Sequence, residues 1–152
     1  MSDFEILKWS DVKPIWDNHL WPGRDSQPVT SMKYLGGYDM DYKKQTARFI
    51  GFVDDDGLQV VAVNSYVPTL TTGKEWRSRG LWVHPKYRGL GYARDILQYM
   101  IDDVQKAGGK MIWTMPRRGA MEAYYSVGFE QISDWIKQDW GVNCYARINL
   151  DV

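Results

Sequence analysis

Apolar residues follow two rhythms along this 152-residue chain. One alternates every second residue, as in a half-buried strand, and the other returns every three to four, as on one face of a helix. Residues 4–9 are mostly apolar, broken by Glu5 and Lys8, and read as a first strand. Ser10 is positioned to cap a following helix, with Pro14 in or just beyond its first turn. Val12, Ile15, Trp16, His19 and Leu20 recur there at helical spacing, which puts His19 on or beside the apolar face as a packed residue. Residues 21–45 keep no clean period. Trp21-Pro22-Gly23 and Gly36-Gly37 punctuate them, and a short helix is expected over 29–35. Two β-rich runs come next, 46–53 and 58–67, joined by the hairpin signal Asp54-Asp55-Asp56-Gly57. A turn over 69–74 leads to a fourth strand, 76–84, which Pro85 ends.

The clearest helix spans 92–107, where Ala93, Ile96, Leu97, Met100, Ile101 and Val104 form one stripe and Gly108-Gly109 ends it. A fifth strand is expected at 110–115, a short helix at 120–126 closed by Gly128, and strands near 129–132 and 142–150. The two helical crossovers imply a partly parallel sheet, and the hairpins imply that the rest is antiparallel. No repeat, linker or low-complexity stretch divides the chain. The fold class is therefore α/β, a mixed sheet flanked by helices in a single domain over 1–152.

Composition narrows the picture a little. Hydrophobic residues make up 44% and charged residues 25%, an ordinary globular mixture, and the formal net charge is zero. Zero net charge argues against a basic groove over the whole surface and makes nucleic acid an unfavoured partner. Eight tryptophans and ten tyrosines are many for this length. Most should serve packing, and some should line an amphipathic pocket. The one cysteine, Cys144, cannot form an internal disulfide and lies in the alternation Val142, Cys144, Ala146, Ile148, as a packed strand residue would. There is no signal-peptide pattern and no apolar run near the roughly 20 residues that span a bilayer. The expectation is a cytoplasmic protein without a membrane partner, as a monomer or homodimer.

The chemistry concentrates in residues 83–93, Val-His-Pro-Lys-Tyr-Arg-Gly-Leu-Gly-Tyr-Ala. Arg88-Gly89-Leu90-Gly91-Tyr92-Ala93 fits the pattern Arg/Gln-x-x-Gly-x-Gly/Ala. Glycines let the backbone turn tightly and bring several N–H groups to one point, at a helix N-terminus suited to an anion. No Gly-Lys-Ser/Thr follows, as a Walker A loop would need. A dinucleotide fingerprint would need glycine where Arg94 stands.

This loop and its strand–loop–helix setting resemble the pyrophosphate loop of the GNAT acyltransferases, which use acetyl-CoA. The lead-in, Leu81 through Ala93, matches the family's hydrophobic-x-Val-x-Pro-x-Tyr-Arg-Gly-x-Gly-x-Ala. The resemblance implies that Arg88, Gly89, Leu90, Gly91, Tyr92 and Ala93 hold the pyrophosphate. It also implies that the backbone of Leu81, Trp82 and Val83 pairs with the pantetheine arm and polarises the acetyl carbonyl. A second segment, Ala120 through Phe129, resembles the family's Ala-x-x-x-Tyr-x-x-x-Gly-Phe. It puts Tyr124 where a tyrosine often protonates the departing thiolate, with Tyr125 one residue late. A phenol suits that role because its reference pKa, about 10, leaves it protonated at neutral pH. Seven residues before that tyrosine the family often has an asparagine that touches the cofactor arm. Here Arg117 stands there, able to donate but not to accept.

The implied reaction is direct transfer of an acetyl group from acetyl-CoA to an amine of a small molecule or peptide, without a metal. An alkyl amine is mostly protonated at pH 7, so a base is expected. Glu75, just before the fourth strand, and Asp39 and Asp41, in the irregular region, are the candidates. Acidic and aromatic residues over 34–42 suit a cationic amine. Arg77, Arg79, Arg117 and Arg118 suit an anionic acceptor or a nucleic acid. A nucleic-acid-modifying enzyme of the same type and a non-catalytic CoA-binding domain are the alternative readings.

Overall fold

The computed structural model describes residues 3–57, 59–70, 72–139 and 141–150. Thus Leu58, the expected start of the third strand, and Thr71, within the expected 69–74 turn, fall outside the described residues. Nine strands and three α-helices succeed one another in chain order among them. These are β1 (Asp3–Leu7), α1 (Trp9–Ile15), β2 (Arg48–Val53), β3 (Val60–Pro68), β4 (Glu75–Val83), α2 (Tyr92–Lys106), β5 (Met111–Thr114), α3 (Arg118–Ser126), β6 (Glu130–Gln131), β7 (Ile136–Gln138), β8 (Gly141–Asn143) and β9 (Ala146–Asn149). Seven of the strands form one sheet in the order β1-β2-β3-β4-β5-β9-β6, and β7 and β8 form a separate hairpin.

The mixed sheet is as expected, but its parallel part is smaller than two crossovers suggest. Only β4 and β5 are parallel neighbours. The second crossover, through α3, brings β6 back parallel to β5, and β9 inserts antiparallel between them. The long strand expected over 142–150 breaks at Cys144 and Tyr145. Its first part pairs with β7 and its second part enters the main sheet. Cys144 is buried at the break, as a packing residue.

Three further expectations change. Ser10 does not cap α1. Lys8 is the N-cap, and its N–H donates to the Asp11 carboxylate at 2.9 Å. Trp9 enters the helix instead, because its ring packs edge-on against Trp16 with centroids 5.1 Å apart. Pro14 sits inside α1, which continues as a wider π-turn over Trp16–Leu20. The π-turn leaves His19 exposed, stacked on the Trp82 ring. No helix forms over 29–35. That segment is irregular, with a bridge between Met32 and Tyr38.

Two apolar cores cover the two faces of the sheet. On one face α2 and α3 bury Ile96, Leu97, Met100, Ile101, Val104, Met121 and Tyr124 against Ile50, Ala62 and Ile112. On the other face α1 and the π-turn after it bury Val12, Ile15 and Trp16 against Phe49, Val53, Val63 and Trp82. β3 lies between them, and Val61 to Val67 is buried throughout. Each fully buried side chain of this size stabilises the fold by about 1.5–3 kcal/mol. Polar contacts fix the position of α2. The Tyr66 hydroxyl donates to Asp103 Oδ2 at 2.6 Å, and Arg48 Nη1 donates to the same oxygen at 2.9 Å.

Two features of β4 shape the cleft of this protein. Its pairing with β5 stops at Arg77 opposite Trp113, while β4 runs on to Val83. It also carries a bulge against β3. Ser65 faces Arg79 and Val63 faces Trp82, so β4 has one extra residue in that interval. Gly80 lies in the bulge at φ +80°, where a Cβ would come within 2.9 Å of the Trp16 ring. Glycine is required there both by backbone conformation and by contact.

Two stability effects are expected. Gly80→Ala should lower stability by about 2 kcal/mol or more, read from urea unfolding at unchanged m-value. Burial alone would raise the Asp103 carboxyl, but the Tyr66 hydroxyl and the Arg48 guanidinium together hold it below its usual value. Its contribution is therefore present above the unfolded-state value near 4 and is lost as pH falls through the depressed folded value. Asp103→Asn should cost about 1 kcal/mol at pH 7, and the gap in urea midpoint from wild type should narrow below about pH 4.

Candidate active site

The divergence of β4 from β5 opens a cleft of about 1090 Å³. Its walls come from β4, the loop into α2, the start of α3, Asn143 and residues of the irregular 20–42 segment. Between Pro85 and Tyr87 the chain makes one 3₁₀ turn after β4, then passes through Gly89 at φ +77° and Gly91 at φ +89°. Gly91 is the N-cap of α2 in the left-handed region. The first helical bond runs from Asp95 N–H to Gly91 carbonyl at 3.0 Å. The N–H groups of Gly91, Tyr92, Ala93 and Arg94 have no backbone acceptor among the described residues, as at any helix start. A Cβ at Gly89 would meet nothing within 4 Å, and one at Gly91 only the Arg94 guanidinium at 3.5 Å. The loop thus presents free donors to open space.

Leu81, Trp82, Val83, Arg88, Gly89, Gly91, Tyr92, Ala93 and Arg117 all line the cleft. Leu90 does not, and its side chain is exposed. Arg88 Nε donates to the Val83 carbonyl at 3.0 Å, closing the loop back on the end of β4. Arg117 is the N-cap of α3, and its Nη2 donates to the Leu20 carbonyl at 3.1 Å, tying the π-turn to the start of α3.

Tyr124 lines the cleft from α3 and is almost wholly buried. Its hydroxyl lies 2.8 Å from Ser78 Oγ, and Asn64 Nδ2 donates to that same oxygen at 2.9 Å. Burial pushes the phenol above its ordinary value, against the opposing effects of Ser78, Thr114 and the Arg77 charge. It stays protonated well into alkaline solution. Tyr125 is half-exposed, bonds to Gln131 at 3.2 Å and does not line the cleft.

The carboxylates named as bases lie elsewhere. Glu75 stands at the closed end of β4, opposite Met111, and accepts from the Thr69 hydroxyl at 2.7 Å. It does not line the cleft, because β4 and β5 are still paired at that point. Asp39 accepts from Asp41 N–H and from Gln45, and Asp41 pairs with Lys44 at 3.6 Å. Neither aspartate lines the cleft, whereas Asp25 and Glu122 do. Position in the chain drew attention to Glu75, but only the sheet register shows that it is at the wrong end of its strand.

Three of the four singled-out arginines line the cleft, Arg77, Arg79 and Arg117, while Arg118 lies over the Trp135 ring at 4.5 Å. Arg77 is buried, lies over the Trp113 ring at 4.8 Å, and donates to the Thr30 hydroxyl. Arg79 lies against both the Trp16 and the Trp21 ring, 5.2 and 5.0 Å from their centroids, and donates to the carbonyls of Gln27 and Val29. Neither has a carboxylate partner among the described residues. Ser78 had no sequence signal of its own. Its place in the cleft comes from strand register and the reach of α3.

Among the described residues, no three His, Cys, Asp or Glu side chains cluster as metal ligands, and no helix is long and apolar enough to cross a membrane.

Comparison with known proteins agrees with this fold. The model of the acetyltransferase (GNAT) family matches residues 14–129. No functionally curated protein matches the chain. Among solved structures, an aminoglycoside 6'-N-acetyltransferase complexed with coenzyme A superposes at TM-score 0.69, with 11% identity over 97% of this chain and 96% of that one. The ribosomal-protein-S18-alanine N-acetyltransferase of Escherichia coli superposes at 0.66, with 15% identity over 100% and 96%. A protein of Salmonella typhimurium described as an acetyltransferase, solved with its cofactor acetyl-CoA, gives 0.67, with 15% identity over 99% and 94%. At these identities the structural likeness speaks for the fold, and the family match covers most of the chain. The protein belongs to the GNAT acetyltransferase family.

Proposed function

We propose that this chain is a single-domain N-acetyltransferase that moves an acetyl group from acetyl-CoA to the amine of a small molecule or peptide within one ternary complex. The observation that carries the proposal is the cleft itself. It joins a free-donor glycine loop, an unpaired strand edge and a buried, protonated tyrosine in one continuous space.

Acetyl-CoA, when bound, supplies the thioester. The N–H groups at Gly91 to Arg94 suit its pyrophosphate, with the positive end of the α2 dipole behind them and Arg88 alongside. Beyond Arg77 the edge of β4 leaves its ladder with β5, and apart from the Ser78 carbonyl, which accepts from the Thr114 hydroxyl, and the Val83 carbonyl, which accepts from Arg88, it offers backbone donors and acceptors to the cleft. They suit the pantetheine amides, and a donor near Trp82 or Val83 suits the carbonyl where negative charge develops. Tyr124 holds a proton for the departing sulfur, and Ser78 and Asn64 fix the orientation of its hydroxyl.

The positive charge of Arg77 and Arg79 bears on the nucleophile. Cations lining the cleft disfavour an ammonium beside them and so lower the acceptor's pKa. This field favours the neutral, attacking amine, and the carboxylates that line the cleft are Asp25 and Glu122 rather than Glu75, Asp39 or Asp41.

Two experiments test the reading. Calorimetric titration with acetyl-CoA should show saturable one-site binding. Gly91→Val should weaken it about 10-fold or more, because a branched side chain is strained at φ +89° and would intrude on the open side of the loop. A folded wild-type protein that does not bind at about millimolar acetyl-CoA would end the proposal. Tyr124→Phe should leave acetyl-CoA affinity near normal and lower kcat about 100-fold. Because burial raises the Tyr124 phenol above its ordinary value, the wild-type rate should hold or rise from pH 7 to about 8 as the amine deprotonates. Turnover by the phenylalanine variant at the wild-type rate would remove Tyr124 from the mechanism.

A further inference from the structure

Two arginines on the acceptor side of the cleft are set differently from ordinary surface arginines. Arg77 is only 9% exposed, and among the described residues no carboxylate lies within ion-pair distance of it or of Arg79. The Nε atoms of both are buried without a hydrogen-bond partner. Ion pairing is the usual way to offset the cost of burying a charge, and that cost is several kcal/mol when no pair forms. Here the compensation is a hydroxyl, two carbonyls and three indole faces. None of these carries negative charge.

The two residues have different duties. Arg79 spends its hydrogen bonds on Gln27 and Val29 and so latches the irregular segment onto the sheet. Arg77 makes one bond, to a Thr30 oxygen that already accepts from Met32 N–H. Its guanidinium retains donors, and it lines the cleft. Arg77 and Arg79 flank Ser78 in β4, the residue that touches the Tyr124 hydroxyl. Their side chains leave the strand on the face opposite Ser78, and the Arg77 charge still acts on the Tyr124 phenol.

Burial, then the neighbouring Arg79 charge, lower Arg77 to about 9, and burial and Arg24 lower Arg79 to about 10. Both remain cations at pH 7. A simple polyamine would meet repulsion here. A nucleic-acid backbone engages arginines that protrude, whereas Arg77 lies below the surface.

We propose that the acceptor is a small amine that carries its own anionic group, a carboxylate or phosphonate, and that Arg77 is the residue that binds this group, with Arg79 as the second positive charge. The inference rests on the acetyl-transfer reading for what happens to the amine, but not for the anion site itself. A planar fork of N–H donors suits either oxyanion. The anion draws the acceptor in by pairing with Arg77, and Arg79 is left as the positive charge beside the bound acceptor.

The test uses matched pairs. Leucine, phenylalanine and 2-aminoethylphosphonate are titrated calorimetrically beside isopentylamine, phenethylamine and ethylamine, which carry the amine without the anion. Each titration is run on the wild-type protein with and without saturating CoA. At least one anionic member should bind about 10-fold or more tightly than its partner. Arg77→Gln should bring that ratio towards one, and Arg77→Lys should keep part of it. Acetyl-CoA affinity and the thermal midpoint of each variant report whether it is folded. Equal or tighter binding of the uncharged-tail amines overturns the proposal. So does a preference that survives in folded Arg77→Gln, or failure of every anionic member to bind at about 10 mM. Loss of CoA binding with the anion preference intact would sink the transfer reading alone. The reverse result would sink the anion site alone.

Discussion

The parting of β4 from β5 is the constraint on which the rest of this protein depends. Three residue pairs hold the strands together, from Glu75 opposite Met111 to Arg77 opposite Trp113, and beyond them the sheet opens. The bulge at Gly80 bends β4 at the right place, and the Trp16 ring occupies the space that a side chain at position 80 would need. A parallel sheet with a full ladder would have no cleft here, and its backbone groups would be spent on one another. The open edge trades ladder hydrogen bonds for a binding surface, and the two cores on either side supply the stability that the missing ladder does not.

That trade also determines which side chains meet in the cleft. Tyr124 belongs to the core formed by α2 and α3, yet its hydroxyl reaches Ser78 because the strands no longer close over it. The two faces of β4 then separate two sets of contacts. Ser78 looks towards Tyr124 and Asn64, and Arg77 and Arg79 look towards the tryptophans and the irregular segment on the other face. Period-two alternation of a single strand thus places the tyrosine's partner on one side of the gap and the positive charge on the other. The chain has no net charge overall, so the cationic character of the cleft is a local product of register and burial.

Much of this was legible in the chain because it is encoded locally. The stripe of Ile96, Leu97, Met100, Ile101 and Val104 fixes α2 by period alone, and all five are buried. Gly89 and Gly91 are read as residues that let the backbone turn tightly into a helix, and both adopt positive φ there. The Asp54–Gly57 turn and the alternating strands around it also come from short-range rules, with Gly57 N–H donating to the Asp54 carbonyl at 2.9 Å. Local rules failed where a distant partner decided. Trp9 joined α1 to meet Trp16, and the 29–35 segment became an irregular wall tied by Thr30 to Arg77.

The sequence by itself determined the mixed α/β class, the order of elements from β2 to α3 and the tight glycine turn into α2, because spacing and turn chemistry act within a few residues, and the family resemblance singled out Tyr124 on α3. Only the tertiary structure decided the insertion of β9 between β5 and β6, the removal of Glu75, Asp39 and Asp41 from the cleft, and the meeting of Ser78 with Tyr124. It alone also revealed two arginines short of negative partners. Each of these turns on which strand ends face the opening and which face the closed end. That is a property of register between segments far apart in the chain, on which no local pattern bears.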